Sequence, residues 1–163
     1  MTSEDFIIRE IEPEDDVALA KVIREVILEM GAPKIGTAYE DEATDNMYKQ
    51  YQKTKSKYYV LTHKNIVVGG AGIAQLDDFE GNTCELQKMY FLPIARGKGL
   101  GTILINRCLD KAKEFGFTHC YLETLPYMKA AVKLYKQNNF NHLKEPLGNT
   151  AHYNCTIWMI KEL

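Results

Sequence analysis

The sequence predicts a mixed α/β (α+β) fold in which a largely antiparallel central sheet of about seven strands is flanked by four helices. Alternating apolar residues indicate three consecutive strands between residues 58 and 92, and apolar residues at helical spacing indicate helices elsewhere. A glycine-rich turn leads from the third of these strands into a helix and a further strand. This order predicts one βαβ crossover with a locally parallel strand pair.

The N-terminal part is predicted to hold one strand and two helices. Residues 6–11 form the strand, Pro13 begins the first helix, and Gly31 ends it. A second helix has Ala43, Met47 and Tyr51 on its apolar face. Two glycines and a proline between the helices predict a shaped loop.

The strands that follow are predicted at residues 58–62, 66–76 and 83–92, joined by turns into an antiparallel meander. A long amphipathic helix then runs from Leu100 to Phe115 and ends at Gly116.

The C-terminal part completes the sheet. We expect a strand at residues 118–123, a helix at 127–138, a short strand at 140–143 and a final strand at 153–160.

Composition predicts a single domain over residues 1–163. The chain has 45% hydrophobic residues, enough at this length to bury roughly two thirds of its unfolded surface. No apolar run approaches twenty residues, and the start Met-Thr-Ser-Glu-Asp lacks the features of a signal peptide. We therefore expect a cytoplasmic protein without a membrane partner. A formal net charge of −2 argues against a nucleic-acid partner.

The cysteines and histidines suggest no metal site. Four cysteines are scattered singly in apolar stretches, which predicts buried free thiols, and the four histidines have no metal-binding spacing. The cysteines are Cys84, Cys108, Cys120 and Cys155.

The glycine-rich turn is predicted to bind an anion. Gly97, Gly99 and Gly101 allow a sharp turn and a close backbone approach to a ligand, and the first turn of the following helix leaves N–H groups free. The helix dipole and the charges of Arg96 and Lys98 favour phosphate there.

The spacing of this turn differs from that of two other phosphate-binding motifs. Lys98 is followed by Gly99 where a Walker A loop needs Ser or Thr, and Thr102 occupies the third glycine position of a dinucleotide fingerprint. A plain nucleotide-phosphate site is therefore disfavoured, while a flexible surface turn remains an alternative.

The residues around this turn resemble the GNAT superfamily of acyl-CoA-dependent N-acetyltransferases. The resemblance rests on Arg96-x-x-Gly99-x-Gly101, on Pro93 at the end of the preceding strand, and on Leu134-Tyr135 some thirty residues later. It covers nearly the whole chain and is most specific between residues 85 and 140. It implies a GNAT-like fold and acetyl-CoA as cosubstrate, with no metal.

The resemblance also implies which residues contact the cofactor. The turn would hold the pyrophosphate, and the strand before it would hydrogen-bond the pantetheine arm. The implied cofactor-binding residues are Met89, Tyr90, Phe91, Arg96, Gly97, Lys98, Gly99, Leu100, Gly101 and Thr102. Lys129, Lys133 and Lys136 form a basic stripe in which Lys133 is assigned to the 3′-phosphate, although a solvated face explains the stripe equally well.

Two positions depart from the family pattern. Met128 stands where the family usually has Asn, seven residues ahead of Tyr135. Asn139-Phe140 replaces the usual Gly-Phe, a change that Asn tolerates because it enters the left-handed region readily.

Acetyl transfer to an amine needs a proton acceptor and a proton donor. Tyr135 matches the family position of a phenol near the coenzyme sulfur, and simple packing of its helix is the alternative. Glu85 is the leading base, since strand alternation puts it on one face with Gln87, Met89 and Phe91. Glu123, or water alone, is the reserve, and a solvated surface position is the competing explanation for Glu85.

The acceptor side is predicted from the resemblance and from charge. The segment from Tyr39 and Glu40 to Glu42 would line the acceptor pocket, joined by Glu123, Asn149 and His152. Solvated surface charge explains the acidic residues as well.

Two functions of different classes follow. The first is an N-acetyltransferase that moves an acetyl group from acetyl-CoA to a primary amine by direct attack in a ternary complex. The second is a catalytically silent acyl-CoA-binding sensor or partner-docking module. The acceptor would be a small molecule or a peptide, and pairing of edge strands leaves a homodimer open.

Overall fold

The computed structural model describes residues 5–163. The first four residues, which contributed to the expectation that no signal peptide is present, lie outside that range. The strands are β1 (Phe6–Glu10), β2 (Lys57–His63), β3 (Ile66–Gln75), β4 (Thr83–Phe91), β5 (His119–Thr124), β6 (Asn141–His142) and β7 (Ile157–Glu162). The helices are α1 (Asp16–Glu29), α2 (Met47–Gln50), α3 (Leu100–Glu114) and α4 (Lys129–Gln137). This confirms the predicted mixed α/β class with seven strands and four helices.

The strands form one sheet in the order β1-β2-β3-β4-β5-β7-β6. Only β4 and β5 pair in parallel, and α3 connects them, as the glycine-rich turn predicted. Their pairing covers three positions and ends with Glu85 opposite Tyr121. Beyond that point β5 continues beside β7. The edge of β4 that faces β5 is therefore left open from residue 86 onward.

The two faces of the sheet carry separate cores. α1 packs on one face through Leu19, Ile23 and Ile27, which contribute to a cluster with Tyr58 and Val60. The other face is covered by α3 and α4, whose buried members include Leu104, Cys108 and Tyr135. Each of these helices buries one apolar stripe against the sheet, so both faces of the sheet are covered.

Three elements differ most from the prediction. The first helix starts at Asp16, because Pro13–Asp15 forms a 3-10 turn in which Asp15 accepts a hydrogen bond from the N–H of Glu12. The second helix is only the four-residue α2, preceded by a 3-10 turn at Glu42–Asp45. The last strand begins at Ile157, because a turn closes where the N–H of Cys155 bonds to the carbonyl of His152.

Two further expectations can be compared with residues 5–163. All four cysteines are free and buried, which confirms the prediction of unpaired thiols. Within this range the longest helices are too short and too polar to cross a membrane. That residues 1–163 form a single domain stays a prediction.

Candidate active site

The glycine-rich turn presents a row of unsatisfied backbone donors. Gly97 and Gly99 have φ values of 70° and 76°, the left-handed conformation that glycine adopts without strain. None of the six amides from 97 to 102 has a hydrogen-bond acceptor among residues 5–163, and the first helical bond of this segment is from Ile103 to Gly99. With the positive end of the α3 dipole, these amides form a site suited to phosphate oxygens.

The turn packs closely against α4. A Cβ placed on Gly101 would lie 2.7 Å from the Leu134 side chain and within 3.6 Å of Met89. Only a residue without a side chain fits this contact. The amide row therefore lies next to both the open edge of β4 and α4.

The Arg96 side chain is engaged within the protein. Its guanidinium donates to both carboxylate oxygens of Glu29, at 2.7 and 2.8 Å, and to the carbonyl of Phe91, at 2.9 and 2.7 Å. We expected Arg96 to grip a phosphate. In this structure the side chain instead connects the end of β4 to α1 and supports the turn.

The remaining basic residues of this region stay more available. Lys98 is partly exposed and Lys133 is exposed on α4. Neither forms an ion pair with another residue in the described part of the chain. Thr102 is exposed in the first turn of α3, and Leu100 is buried beneath it.

A β-bulge interrupts β4 beside the open edge. Gly70 pairs with Tyr90 and Gly72 with Gln87, so Lys88 and Met89 lie opposite the single residue between those glycines. Lys88 has φ 46°, an uncommon conformation for a residue with a side chain.

Tyr58 holds the bulge in place. Its hydroxyl donates to the carbonyl of Lys88 at 2.7 Å, and its ring crosses Gly70 and Gly72. A Cβ on either glycine would lie 2.5 or 2.6 Å from that ring. The two glycines are thus required by a close side-chain approach.

The bulge corrects the predicted face of β4. Strict alternation would put Met89 and Phe91 on the face of Glu85 and Gln87. The extra residue reverses the phase, so Met89 and Phe91 pack into the α3 and α4 core together with Leu86. The bulge is held by a residue from another strand, so the alternation of residues along β4 does not predict it.

A cavity of about 410 Å³ lies on the other face of β4, between the segment that leads into α2 and the loop that leads into β7. Polar side chains from β4 and from both of these segments line its wall. Those used below are Asp41, Tyr51, Glu85, Gln87, Lys88, Glu123, Thr150 and His152.

Glu85 is buried in the wall of this cavity. Burial raises the pKa of its carboxyl to about 7, the nearby charge of Glu123 acts in the same direction, and a hydrogen bond from Gln87 partly offsets both. Gln87 Nε2 donates to Glu85 Oε1 at 2.8 Å, and the Tyr51 hydroxyl donates to Gln87 Oε1 at 2.6 Å. The other oxygen of Glu85 has no hydrogen-bond partner within residues 5–163, which suits a proton acceptor near neutral pH.

Glu123 lies in the same wall with both oxygens engaged. Oε2 accepts from the Tyr121 hydroxyl at 2.6 Å, and Oε1 accepts from the Thr150 hydroxyl. These contacts attach the loop before β7 to β5, and the backbone N–H of Leu147 also donates to the Tyr121 hydroxyl. Both oxygens of this carboxylate are therefore engaged in holding the loop, whereas one oxygen of Glu85 has no partner within residues 5–163.

Asp41 connects the two sides of the cavity. His152 Nε2 lies 2.6 Å from its Oδ2, and Lys88 Nζ lies 3.4 Å from the same oxygen. Burial opposes ionisation of Asp41, but the hydrogen bond from His152 and the charges of His152 and Lys88 outweigh it and lower the pKa. His152 thus lies where an acceptor-pocket residue was predicted.

Three of the predicted acceptor residues lie outside the cavity wall. Tyr39 packs between Arg24 and Lys34, at 5.7 and 5.2 Å from its ring centroid. Glu40 accepts a hydrogen bond from the N–H of Gly36, and Asn149 accepts one from the N–H of Ala151. Such short-range loop contacts are typical of Asn and Glu side chains near turns.

Tyr135 is buried on α4, on the α3 side of the sheet. Its ring contacts Phe140 edge-on, with centroids 6.0 Å apart, and burial raises the pKa of its phenol above the usual value. Asn139 between them has φ 68°, which confirms that Asn fills the left-handed position after this helix.

The chain is similar to known proteins over most of its length. The family model of the GNAT acetyltransferases, described as Acetyltransferase (GNAT) family, matches residues 24–140. The chain belongs to the GNAT acetyltransferase family. Over 159 residues it is 42% identical to the uncharacterized N-acetyltransferase YjgM of Escherichia coli (strain K12), covering 96% of this chain and 95% of YjgM.

Solved GNAT structures share the fold. An acetyltransferase from Streptococcus agalactiae superposes with a TM-score of 0.84 at 22% identity, over 98% of this chain and 99% of that one. yncA from Salmonella typhimurium, solved with its cofactor acetyl-CoA, superposes with a TM-score of 0.77 at 21% identity, over 98% and 95% of the two chains. Family membership and the YjgM relative support an acyltransferase enzyme.

The sequence did not indicate a role for several polar residues of this site. Gln87 is two positions from Glu85 on one strand face, so alternation had placed it beside the carboxylate, yet it was given no role. Tyr51, Tyr58 and Thr150 come from distant segments, and no local pattern predicts their contacts. Among residues 5–163 no cluster of three or more potential metal ligands is present.

Proposed function

We propose that this protein transfers an acetyl group from acetyl-CoA to a primary amine by direct attack within a ternary complex. The observation that carries the proposal is the row of six unpartnered amides at 97–102 beside the open edge of β4. The cavity with the buried Glu85 lies on the opposite face of the same strand. A phosphate site and a proton acceptor are thus supplied along one strand.

Cosubstrate binding would use the turn and the strand before it. The backbone N–H groups of 97–102 donate hydrogen bonds to the pyrophosphate oxygens, with Lys98 adding charge, and Lys133 on α4 meets the 3′-phosphate. The unpaired backbone edge of β4 from Met89 to Phe91 offers hydrogen bonds to the pantetheine arm. The Salmonella typhimurium structure with acetyl-CoA supports this choice of cosubstrate. Acetyl-CoA supplies the acetyl group as a reactive thioester.

Glu85 acts as the base in this proposal. An amine arrives largely protonated at neutral pH and must lose one proton before its nitrogen lone pair can attack. Oε2 of Glu85 takes that proton, while the contact from Gln87 keeps Oε1 fixed. A carboxyl with a pKa of about 7 is suited to this exchange, because it is substantially ionised at the working pH and still basic.

Tyr135 acts as the proton-bearing group near the leaving thiolate. Its raised pKa means that the phenol keeps its proton at neutral pH. The hydroxyl therefore stabilises the thiolate first as a hydrogen-bond donor. Transfer of its proton to the thiolate becomes favourable only when burial raises the pKa of the thiol above that of the phenol.

The first experiment measures thiol release from acetyl-CoA against a panel of primary amines, together with acetyl-CoA affinity by calorimetry. We expect binding and amine-dependent release of free thiol. Binding without release for any amine would support the sensor function instead. Failure to bind acetyl-CoA would contradict the use of residues 97–102 as its phosphate site.

A further inference from the structure

The bulge in β4 places Lys88 in the wall of the cavity that Glu85 also lines. Its side chain is 11% exposed and lines the cavity together with Glu85 and Gln87. The neighbouring Tyr90 lines it too, which shows the reversed phase after the bulge. Lys88 adopts the left-handed conformation, and the Tyr58 hydroxyl holds its carbonyl. Uncommon backbone conformations that the surroundings hold in place occur preferentially at functional sites.

The ammonium group of Lys88 is poorly satisfied by the protein. An ammonium has three N–H donors, but Lys88 Nζ has only Asp41 Oδ2 as a partner, at 3.4 Å. The same oxygen is already bound by His152 at 2.6 Å. Two donors thus have no partner within residues 5–163. A mostly buried cation with unused donors is costly unless a ligand supplies an acceptor.

Neither Glu85 nor Glu123 competes strongly for that ammonium, and the Asp41 oxygen that it contacts is shared with His152. Both oxygens of Glu123 are taken by hydroxyl groups, and Glu85 has a pKa of about 7 and carries only part of a negative charge at neutral pH. The cavity therefore offers a proton acceptor at Glu85 and a separate cation at Lys88. A ligand with both an amine and an acid group matches this pattern.

Size and spacing are consistent with a small ligand. The volume of about 410 Å³ is near the lower end of small-molecule sites, which are about 300 to 1,000 Å³. Glu85 and Lys88 are three residues apart on β4, at most roughly 10 Å between Cα atoms at about 3.3 Å per residue, because the bulge bends the strand between them. The long Lys88 side chain and a short ligand together span this distance.

We propose that the acetyl acceptor is a small amino acid whose amine faces Glu85 and whose carboxylate binds the Lys88 ammonium. This rests on the acetyltransferase function proposed above. The carboxylate forms a charge-assisted hydrogen bond that orients the amine. A diamine or polyamine lacks the group that Lys88 would bind.

The test is acetyl-CoA thiol release with matched acceptors. Each of glycine, β-alanine, 4-aminobutyrate and the other common amino acids is compared with its own carboxamide and with the amine that lacks the carboxyl group. For at least one amino acid we expect kcat/KM to exceed that of its carboxamide by about tenfold or more, the usual effect of a charged hydrogen bond.

Variants separate a binding role of Lys88 from a structural one. Lys88→Met should remove the preference for the free carboxylate, lowering kcat/KM for the amino acid about tenfold while the carboxamide and acetyl-CoA affinity stay unchanged. Lys88→Arg should retain the preference. Lys49→Met, which removes an exposed charge from α2, is the matched control and should behave like the parent protein.

Three results with the parent protein would overturn the inference, as would one result with the Lys88→Met variant. These are equal use of carboxamides, activity confined to amines without a carboxylate, and the absence of any release with amino acids. In the second case the acetyltransferase function still holds. If acetyl-CoA itself is not bound, the proposed function fails as well. An equal loss of both acceptor types in Lys88→Met would indicate a merely structural role.

Discussion

Replacement of Glu85 by Gln gives the most informative prediction, because one substitution changes stability and catalysis in opposite directions. The carboxyl pKa is about 7 in the folded protein against 4.5 in its ordinary state, so the folded protein holds this proton more tightly than the unfolded chain. The stability that this proton supplies is fully present below about pH 4.5. It is lost as the pH rises through about 7.

The magnitude follows from the difference between the two pKa values. One pKa unit corresponds to about 1.4 kcal/mol, so a charged Glu85 costs about 3 kcal/mol once the pH is well above 7. Glu85→Gln preserves size and the contact from Gln87 but removes the charge. Relative to the parent, the variant should therefore gain about 2 to 3 kcal/mol of unfolding free energy between pH 5 and pH 8.

Urea unfolding at several pH values between 5 and 8 measures this difference, with Glu80→Gln in the exposed loop after β3 as the control. In parallel, kcat/KM of the parent should fall as the pH drops below about 7, and Glu85→Gln should lose on the order of a hundredfold or more. Parallel stability curves for parent and variant would refute the raised pKa. Undiminished turnover would remove Glu85 as the base.

Four further substitutions test the remaining parts of the site. Arg96→Ala should weaken acetyl-CoA binding about tenfold by calorimetry. If Arg96 acts by supporting the turn, Glu29→Gln should weaken binding too. Unchanged affinity in both variants would exclude a role of Arg96 in acetyl-CoA binding. Tyr135→Phe should leave acetyl-CoA affinity intact and slow turnover on the order of a hundredfold; a variant with parental kcat removes the phenol from the mechanism. Gln87→Leu should raise the pKa that limits kcat/KM at low pH by about one unit, because the carboxylate of Glu85 loses a hydrogen bond. An unchanged pH profile would show that this contact does not set the pKa of Glu85.

The elements of the fold were predictable where the signal is local. The three central strands and α3 each follow from a repeat of two or 3.6 residues, and the glycines mark the turn between β4 and α3. The length of α2 was overestimated, because Ala43, Met47 and Tyr51 share an apolar face although a 3-10 turn separates them into short pieces. The spacing of apolar residues indicates which face of a segment is buried. It does not distinguish the hydrogen-bond pattern of an α-helix from that of a 3-10 turn.

The candidate site was predictable only in part. Glu85 could be named from alternation and from the family resemblance, whereas its burial and the raised pKa that results are seen only in the structure. Arg96 was assigned to phosphate because its charge lies in the turn, but its partner Glu29 is 67 residues away on α1. Contacts over such distances depend on the packing of the sheet, which no short motif encodes.

The amino-acid sequence by itself determined the order of strands and helices, the glycine-rich turn at residues 97–102 and the membership of a known family, since these depend on neighbouring residues. The tertiary structure decided which side chains meet in the cavity. The bulge held by Tyr58 turns Lys88 toward Glu85, and the chain from Tyr51 through Gln87 fixes one carboxylate oxygen. These arrangements arise because segments far apart in the chain are brought together by the sheet, where burial alters the charge and hydrogen bonding of each group.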